Sequence, residues 1–530
     1  MPTVRAEARA PGHMVASSHP AVSELGAQVL AAGGTAGDAA LAMGAMSFVA
    51  LPGQCGLGGD AFAVWYEAAT GHYGAVQGSG VGPDGADAGF FAGHGLDALP
   101  IEGPLSASVP GEMAAVATLH RHLATRPLSE LWAPAAEAAR RGLPVTAATH
   151  EDLETYAGKL TSAAARRVLL PDGRIPAVGS PLRQTELATT IERVAASPED
   201  FYEGDLATRC LRALTDAGAP FSGREWRQTA APATETVTGT YRGLVVHENP
   251  PPSPGYMVLW QAAVLDGVLA ELPWLSGRAL AWLAGAAAMA FADRRRMVGS
   301  GSDEWRDLLA PDAVAGARAA LSADRLPPVE GSMRSGDTTS VVAVDAAGNA
   351  VSFIHSLAFT FGSGFMVPGT GVMLNDRLGR GAYLDAGHPN GVLPGRRPMH
   401  TLNAWIVAGP TGRPAFVGNT PGGDGQVQWN MQLLTALVDH GVGPQAAVEA
   451  PRMTVFPGSD ADTVGSPPEV RCESRLGGPA IDELRGAGVP IVVQGPWAGG
   501  GSAQVIALDP ATGERRGGSD PRFDGLATGG

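Results

Sequence analysis

The stretch that decides the fold is residues 338–356, which reads TTSVVAVDAAGNAVSFIHS. Two apolar, β-branched runs flank the turn Asp345-Ala346-Ala347-Gly348-Asn349. A short loop with glycine in the left-handed position is a common connection between antiparallel strands. The pattern therefore predicts a β-hairpin with strands over 338–344 and 350–357.

The turn also predicts which residues face each other. If Asp345 pairs with Asn349, Thr338 lies opposite Ser356, and directly opposed residues share one face of a sheet. Two hydroxyl groups then meet at the open end of the hairpin. An ordinary cross-strand Thr–Ser pair and a reactive pair both satisfy this local pattern.

The sequence on either side of the hairpin differs in character. Residues 325–337 are polar and rich in Pro, Gly and Ser, which predicts an exposed linker directly before Thr338. Apolar residues at helical spacing predict helices over 21–32, 36–50, 112–123, 128–141 and 276–296, the last with Ser276 as N-cap. Strands are predicted over 61–66 and 404–407, the first of them after a Gly-rich loop that ends at Asp60.

Composition excludes several classes of protein. The chain has 530 residues, 45% of them apolar and 17% charged, which is typical of a globular protein. Its net charge of −15 argues against binding nucleic acid or an anionic membrane surface. The longest apolar run, 279–292, is shorter than the roughly 18 residues that span a bilayer. With three scattered cysteines and no visible signal peptide, we expect a cytoplasmic protein without a metal site or cofactor.

A series of short motifs runs through nearly the whole chain: His19-Pro20, 33–40, 56–59, Val109-Pro110-Gly111, 201–204, 241–243, 250–253, 336–339, 344–351, 361–364, Pro421-Gly422-Gly423 and 519–522. In order and spacing, these motifs resemble the γ-glutamyltranspeptidase family of N-terminal nucleophile hydrolases. The resemblance implies an α+β fold, a four-layer αββα sandwich. It also implies self-cleavage between Asp337 and Thr338, so that segments 1–337 and 338–530 stay associated around one core.

The resemblance assigns the catalytic groups. Thr338 is the nucleophile, and its freed α-amine is the base for its own hydroxyl. Ser356 matches the second hydroxyl residue, which hydrogen-bonds the nucleophile. Gly422 and Gly423 match the diglycine whose N–H groups bind the oxyanion.

The residues that recognise a γ-glutamyl group are altered. Ala358 stands where the family has Asn, and Arg380 stands at an acidic position that pairs with the substrate amine. His400-Thr401 replaces a Ser-Ser pair, and the early carboxylate-binding Arg has no counterpart in residues 81–85. Because a buried cation repels an ammonium group, we expect Arg377, Arg380 and His400 to bind a small anionic substrate instead. Structural ion pairs for the two arginines, and a packed role for His400, remain open alternatives.

These observations lead to one main hypothesis and three alternatives. The main hypothesis is a self-processed hydrolase that cleaves an amide of a small carboxylate-bearing, non-γ-glutamyl substrate through an acyl-enzyme. The alternatives are a C–C bond hydrolase of secondary metabolism, an ordinary γ-glutamyl hydrolase or transpeptidase, and an unprocessed, non-enzymatic binding protein.

Overall fold

Two seven-stranded antiparallel sheets lie face to face at the centre of the computed structural model, which describes residues 4–297, 303–321, 338–456, 458, 469–486, 488 and 490–530. The first sheet has the strand order Leu526–Gly529, Met14–Ser17, Thr339–Val344, Ala350–Ser356, Asp60–Glu67, His72–Gly78 and Ala233–Glu235. The second has the order Ala8–Ala10, Arg515–Ser519, Gln504–Leu508, Pro414–Asn419, Ala404–Ala408, Leu244–Glu248 and Val237–Tyr241.

The smaller sheets lie outside this sandwich. One has the strands Met453–Phe456, Glu469–Glu473 and Ile491–Gln494, and the other has Leu143–Pro144 and Pro181–Leu182. The predicted linker 325–337, including Asp337, lies outside the described residues.

The predicted hairpin is confirmed in register. Thr339 pairs with His355 and Val344 pairs with Ala350, and the Asp345 N–H donates to the Asn349 carbonyl at 3.1 Å. Gly348 has φ +91°, the left-handed conformation that the turn requires. Each strand is one residue shorter than predicted, because regular pairing begins at Thr339 and ends at Ser356.

Side chains that alternate along this hairpin belong to two different hydrophobic cores. Val341 and Phe353 pack into a core under helices, whereas Val342 and Ile354 pack between the sheets against the second sheet. A further core covers the outer face of the second sheet with helices that include Gly255–Leu265 and Gly425–Leu434. The protein is thus the α+β, four-layer αββα sandwich that the resemblance implies.

The helices agree closely with their sequence patterns. Glu112–Leu123, Leu128–Arg141 and Ala36–Ala50 occur as predicted, and two others shift by one residue, to Pro20–Ala31 and Gly277–Met297. The Ser276 hydroxyl accepts the Ala279 N–H, as expected of an N-cap. The remaining α-helices are Ala88–Gly93, Ala147–Tyr156, Ala163–Leu169, Thr185–Ala196, Asp200–Glu203, Asp205–Asp216, Arg224–Arg227, Gly255–Leu265, Trp305–Leu308, Pro311–Ala320, Arg377–Gly381, Gly425–Leu434, Pro444–Glu449 and Gly478–Gly486. Among the helices described, none has the length and apolar character needed to cross a membrane.

Candidate active site

The hairpin end carries the predicted pair of hydroxyls. The Thr338 hydroxyl donates to the Ser356 Oγ at 3.1 Å, and both side chains are buried. The Ala358 N–H donates to the same Ser356 oxygen at 2.8 Å. The Ser356 Oγ is therefore held from both sides, which fixes the Thr338 hydroxyl on rigid, paired backbone.

The chain turns sharply after Ser356. Ala358 has φ +87°, a conformation that costs a non-glycine residue about 1–3 kcal/mol. Its carbonyl accepts a hydrogen bond from Arg380 Nη1 at 2.6 Å, and the Arg380 guanidinium lies 4.2 Å from the centre of the Phe359 ring. Arg380 thus contacts the segment next to the hydroxyl pair and stabilises its turn.

The first residue of the diglycine occupies a position that only glycine can take. Gly422 and Gly423 have φ of +129° and +59°, and a Cβ on Gly422 would lie 2.3 Å from the Trp429 ring. The two carbonyls accept the first N–H groups of the Gly425–Leu434 helix, at 3.1 Å each. Neither glycine N–H donates to another residue in the described part of the chain, so both remain available to a ligand oxygen.

Asp60 lies in the same row as the hydroxyl pair. Ser356 pairs directly with Asp60 on the neighbouring strand, so Thr338, Ser356 and Asp60 occupy three adjacent strand ends on one face. Asp60 Oδ2 accepts from Arg377 Nε at 3.3 Å and from His400 Nε2 at 3.1 Å. Its Oδ1 accepts the Gly80 and Gly111 N–H groups.

These contacts keep Asp60 ionised although it is fully buried. Burial alone would raise the pKa of Asp60, but the His400 hydrogen bond, the Arg377 charge and the Gly80 N–H outweigh it and lower that pKa. Burial lowers the pKa of His400 to about 3, an effect that the nearby Arg377 charge reinforces. The Leu402 N–H donates to His400 Nδ1, so the neutral ring carries its proton on Nε2, towards Asp60.

Arg377 is the unusual member of this group. Its side chain is 1% exposed, and Nε donates to Asp60, but Nη1 and Nη2 have no partner among the described residues. Burial lowers the pKa of Arg377, although an arginine remains charged throughout the ordinary pH range. Two buried, unpartnered guanidinium nitrogens are costly unless a ligand satisfies them.

A second arginine connects the His400 segment to the diglycine. Arg294 Nη1 donates to Asp424 Oδ1 at 3.1 Å, and Nη2 donates to the His400 carbonyl at 2.6 Å. Asp424 directly follows the diglycine in the sequence. The neighbouring Thr401 is buried, and its hydroxyl has no partner among the described residues.

The structure brings most of the predicted site residues into linked contacts. Thr338, Ser356, Ala358 and Arg380 form one chain of contacts, and Arg377 meets His400 at Asp60. Both His400 nitrogens are engaged within the protein, so the binding of a substrate anion by this ring stays a prediction. Asp337 cannot be placed, since it lies outside the described residues.

Sequence reasoning missed Asp60 and Arg294. The sequence pattern predicts Asp60 at the end of a loop, whereas it is the first residue of the Asp60–Glu67 strand. A carboxylate directly before an apolar strand was the available signal, because such a residue sits at a sheet end with its side chain fixed by the pleat. Nothing local marked Arg294, which lies inside a long helix.

Known proteins resemble this chain over nearly its whole length. The family model for γ-glutamyltranspeptidase matches residues 22–530. A glutathione hydrolase-like proenzyme of Bacillus subtilis is 30% identical over 97% of this chain and 98% of its own. An oxamate amidohydrolase proenzyme of Klebsiella pneumoniae is 29% identical, with the same coverage. The crystal structure of a cephalosporin acylase from Bacillus halodurans superposes with a TM-score of 0.91 at 28% identity, covering 100% of this chain and 98% of the acylase.

Proposed function

Because this chain belongs to the γ-glutamyltranspeptidase family, we propose that it is a self-processing hydrolase with Thr338 as its nucleophile. The observation that carries the proposal is the hydrogen bond of 3.1 Å from the Thr338 hydroxyl to Ser356. Its substrate is an amide whose acyl part bears a carboxylate and lacks the α-ammonium of a γ-glutamyl group.

Maturation would begin with Thr338 itself. Its hydroxyl oxygen attacks the Asp337 carbonyl, and the peptide nitrogen leaves as the amine of Thr338, which gives an ester. Water then hydrolyses that ester, releasing the Asp337 carboxylate and restoring the hydroxyl. The products are fragments of 337 and 193 residues, and Thr338 gains a free α-amine.

Catalysis reuses the same hydroxyl. The α-amine, with an ordinary pKa of about 7.7–8.0, takes the hydroxyl proton as the oxygen attacks the substrate carbonyl. The Gly422 and Gly423 N–H groups would receive the oxyanion, and losing one such donor costs about 3 kcal/mol. The leaving amine departs with the proton, and water then hydrolyses the acyl-enzyme.

Electrostatics support a substrate without an ammonium group. The two carboxylates described next to the hairpin end already have donors: Asp60 has four, and Asp376 accepts from Lys159 Nζ and the Phe359 N–H. Arg377 and Arg380 add buried positive charge nearby. An ammonium beside the hairpin end would therefore meet two buried cations, and the two neighbouring carboxylates already have donors.

Hydrolysis of glutathione is the second candidate. The names of the Bacillus subtilis relatives favour it, because one 30% identical and one 27% identical are called glutathione hydrolase-like and glutathione hydrolase. It differs from the main proposal in one chemical group, the α-amine of the acyl part.

One pair of chromogenic amides separates these candidates. Glutaryl-p-nitroanilide is γ-glutamyl-p-nitroanilide without its α-amino group. We expect kcat/KM to be at least about tenfold higher for the glutaryl compound, since an unpaired ammonium beside buried cations costs more than 1.4 kcal/mol. Equal or better turnover of the γ-glutamyl compound would favour the second candidate.

A denaturing gel tests the nucleophile. Purified protein should give two bands, Thr338→Ala one full-length band without activity, and Thr338→Ser, which keeps a hydroxyl, two bands again. A single persistent band for the unaltered protein would favour an unprocessed binding protein.

A further inference from the structure

The row of strand ends places Asp60 two strands from the nucleophile. Adjacent strands lie about 4.8 Å apart, so the Asp60 and Thr338 backbones are separated by roughly 10 Å on one face. Arg377 reaches this row by donating its Nε to Asp60. An acyl group bound to Thr338 that extends along this row would approach the guanidinium.

The contacts of Asp60 leave one side of that guanidinium unused. Asp60 Oδ2 receives the Nε–H of Arg377 and the Nε2–H of His400, and its Oδ1 receives two backbone N–H groups. Nη1 and Nη2 of Arg377 are buried without a partner in the described chain. These two nitrogens match the two oxygens of a carboxylate, which arginine binds bidentately.

We propose that Arg377 binds the substrate carboxylate, and that Asp60 and His400 are positioning residues that orient Arg377 for it. This assignment rests on the proposed function and deepens it, because it locates the recognition of the acyl part. His400 is then no anion ligand. It is a neutral donor that keeps Asp60 directed at Arg377 Nε.

The charge balance explains why all three residues are needed. A buried guanidinium requires a counter-charge when no ligand is bound, and Asp60 supplies it through Nε. If Asp60 instead contacted both outer nitrogens, it would occupy the pair of donors that a substrate carboxylate needs for bidentate binding. Because His400 is neutral, it satisfies Asp60 without adding a second cation.

A binding measurement tests the assignment without relying on catalysis. The mature protein is titrated with dicarboxylates from oxalate to adipate, each beside its uncharged diamide, and the thermal unfolding midpoint is recorded. We expect at least one dicarboxylate to raise the midpoint more than its diamide does. Arg377→Met should abolish that difference, whereas Arg413→Met, at an exposed turn, should retain it.

The result that overturns the assignment is specific. If no dicarboxylate is preferred over its diamide, or if Arg377→Met keeps the preference, Arg377 is a structural ion-pair residue. Failure of the proposed function appears elsewhere, as a protein that stays one chain or keeps its activity in Thr338→Ala. The two failures are therefore distinguishable.

Kinetics separate positioning from structural collapse. Glutaryl-p-nitroanilide is compared with its methyl ester, which lacks the charge. We expect Arg377→Met to raise KM for the carboxylate about 10- to 100-fold, the range for a charged hydrogen-bonded pair, with little change for the ester.

The two positioning residues are tested with the same pair of substrates. Asp60→Asn should reduce the preference for the carboxylate in the same direction as Arg377→Met. His400→Gln, which keeps an N–H donor, should preserve more of that preference than His400→Leu. An equal loss on both substrates in every variant would indicate a structural role only and would refute the assignment.

Discussion

Two buried carboxyl–imidazole pairs flank the end of the Ala350–Ser356 strand, and they differ in charge. On one face, Asp60 Oδ2 lies 3.1 Å from His400 Nε2, in the row that contains Thr338 and Ser356. On the other, Glu112 Oε1 lies 3.1 Å from His355 Nδ1, under the helices. All four side chains are fully buried.

The pKa values of the two carboxyl groups nevertheless shift in opposite directions. The pKa of Asp60 is lowered, whereas burial raises the pKa of Glu112 well above its ordinary value, and the charge of Asp60 adds to that rise. The second oxygen of Glu112 has no partner among the described residues, while Asp60 has Arg377 and two backbone N–H groups. Glu112 and His355 therefore form a neutral pair.

The comparison shows that residue types and one distance do not decide the charge of a buried pair. The number of additional donors and a neighbouring cation decide it. Here the charged pair lies on the face of Thr338 and the neutral pair faces the helical core, so charge is concentrated where the proposed function places the substrate.

The largest expected effect comes from removing the charge of Asp60. Asp60→Asn removes the hydrogen-bonded counter-charge of the buried Arg377, and we expect it to lower the free energy of unfolding by about 3–5 kcal/mol. The matched change Glu112→Gln replaces a neutral carboxyl with a neutral amide and should cost less than about 1 kcal/mol. Urea denaturation of both variants at pH 5 measures the difference, and similar costs would contradict the assigned charges.

The next effect is a dependence of stability on pH. Because the pKa of Glu112 is higher in the folded than in the unfolded protein, protonated Glu112 adds to the free energy of unfolding. This stabilisation is complete below the unfolded pKa of about 4.5 and is lost as the pH rises towards the folded pKa. Relative to Glu112→Gln, the unaltered protein should lose up to about 1.4 kcal/mol per pH unit above that point. Denaturation curves from pH 4.5 to 7 test this, and parallel stability profiles would show that Glu112 is ionised in the fold.

The smallest effect concerns selectivity. Since Glu112 lies on the face away from Thr338, Glu112→Gln should leave the preference for glutaryl-p-nitroanilide over its methyl ester within about twofold of the unaltered protein. A large shift from this variant would mean that the two pairs are coupled through the strand between them.

The sequence predicted the features that depend on residues close together in the chain. The turn from Asp345 to Asn349 fixed the hairpin register because five consecutive residues determine it, and the Ala36–Ala50 helix is bounded by a capping box of Thr35 and Asp38. The Thr338–Ser356 contact followed from that register. The four-layer arrangement was predicted from the family resemblance, because no local sequence pattern shows how strands and helices are arranged in space.

The Asp60 cluster could not be predicted in this way. Asp60, Arg377 and His400 come from three distant segments, and their contact depends on how the strands order in space. The sequence indicated that Arg377 and His400 were unusual, but packing decides which of their nitrogens have hydrogen-bond partners within the protein. The distinction between His400, engaged at both nitrogens, and Arg377, with two unused nitrogens, therefore required the structure.

The order of strands in the first sheet has a consequence for the two fragments. Met14–Ser17, from the first segment, pairs on one side with Thr339–Val344 and on the other with Leu526–Gly529, both from the second. After a cut before Thr338, neither fragment could leave without withdrawing a strand from the interior of a sheet. The mature enzyme should therefore not exchange fragments with other copies in solution, and a mixture of tagged and untagged protein should stay unmixed until it is denatured.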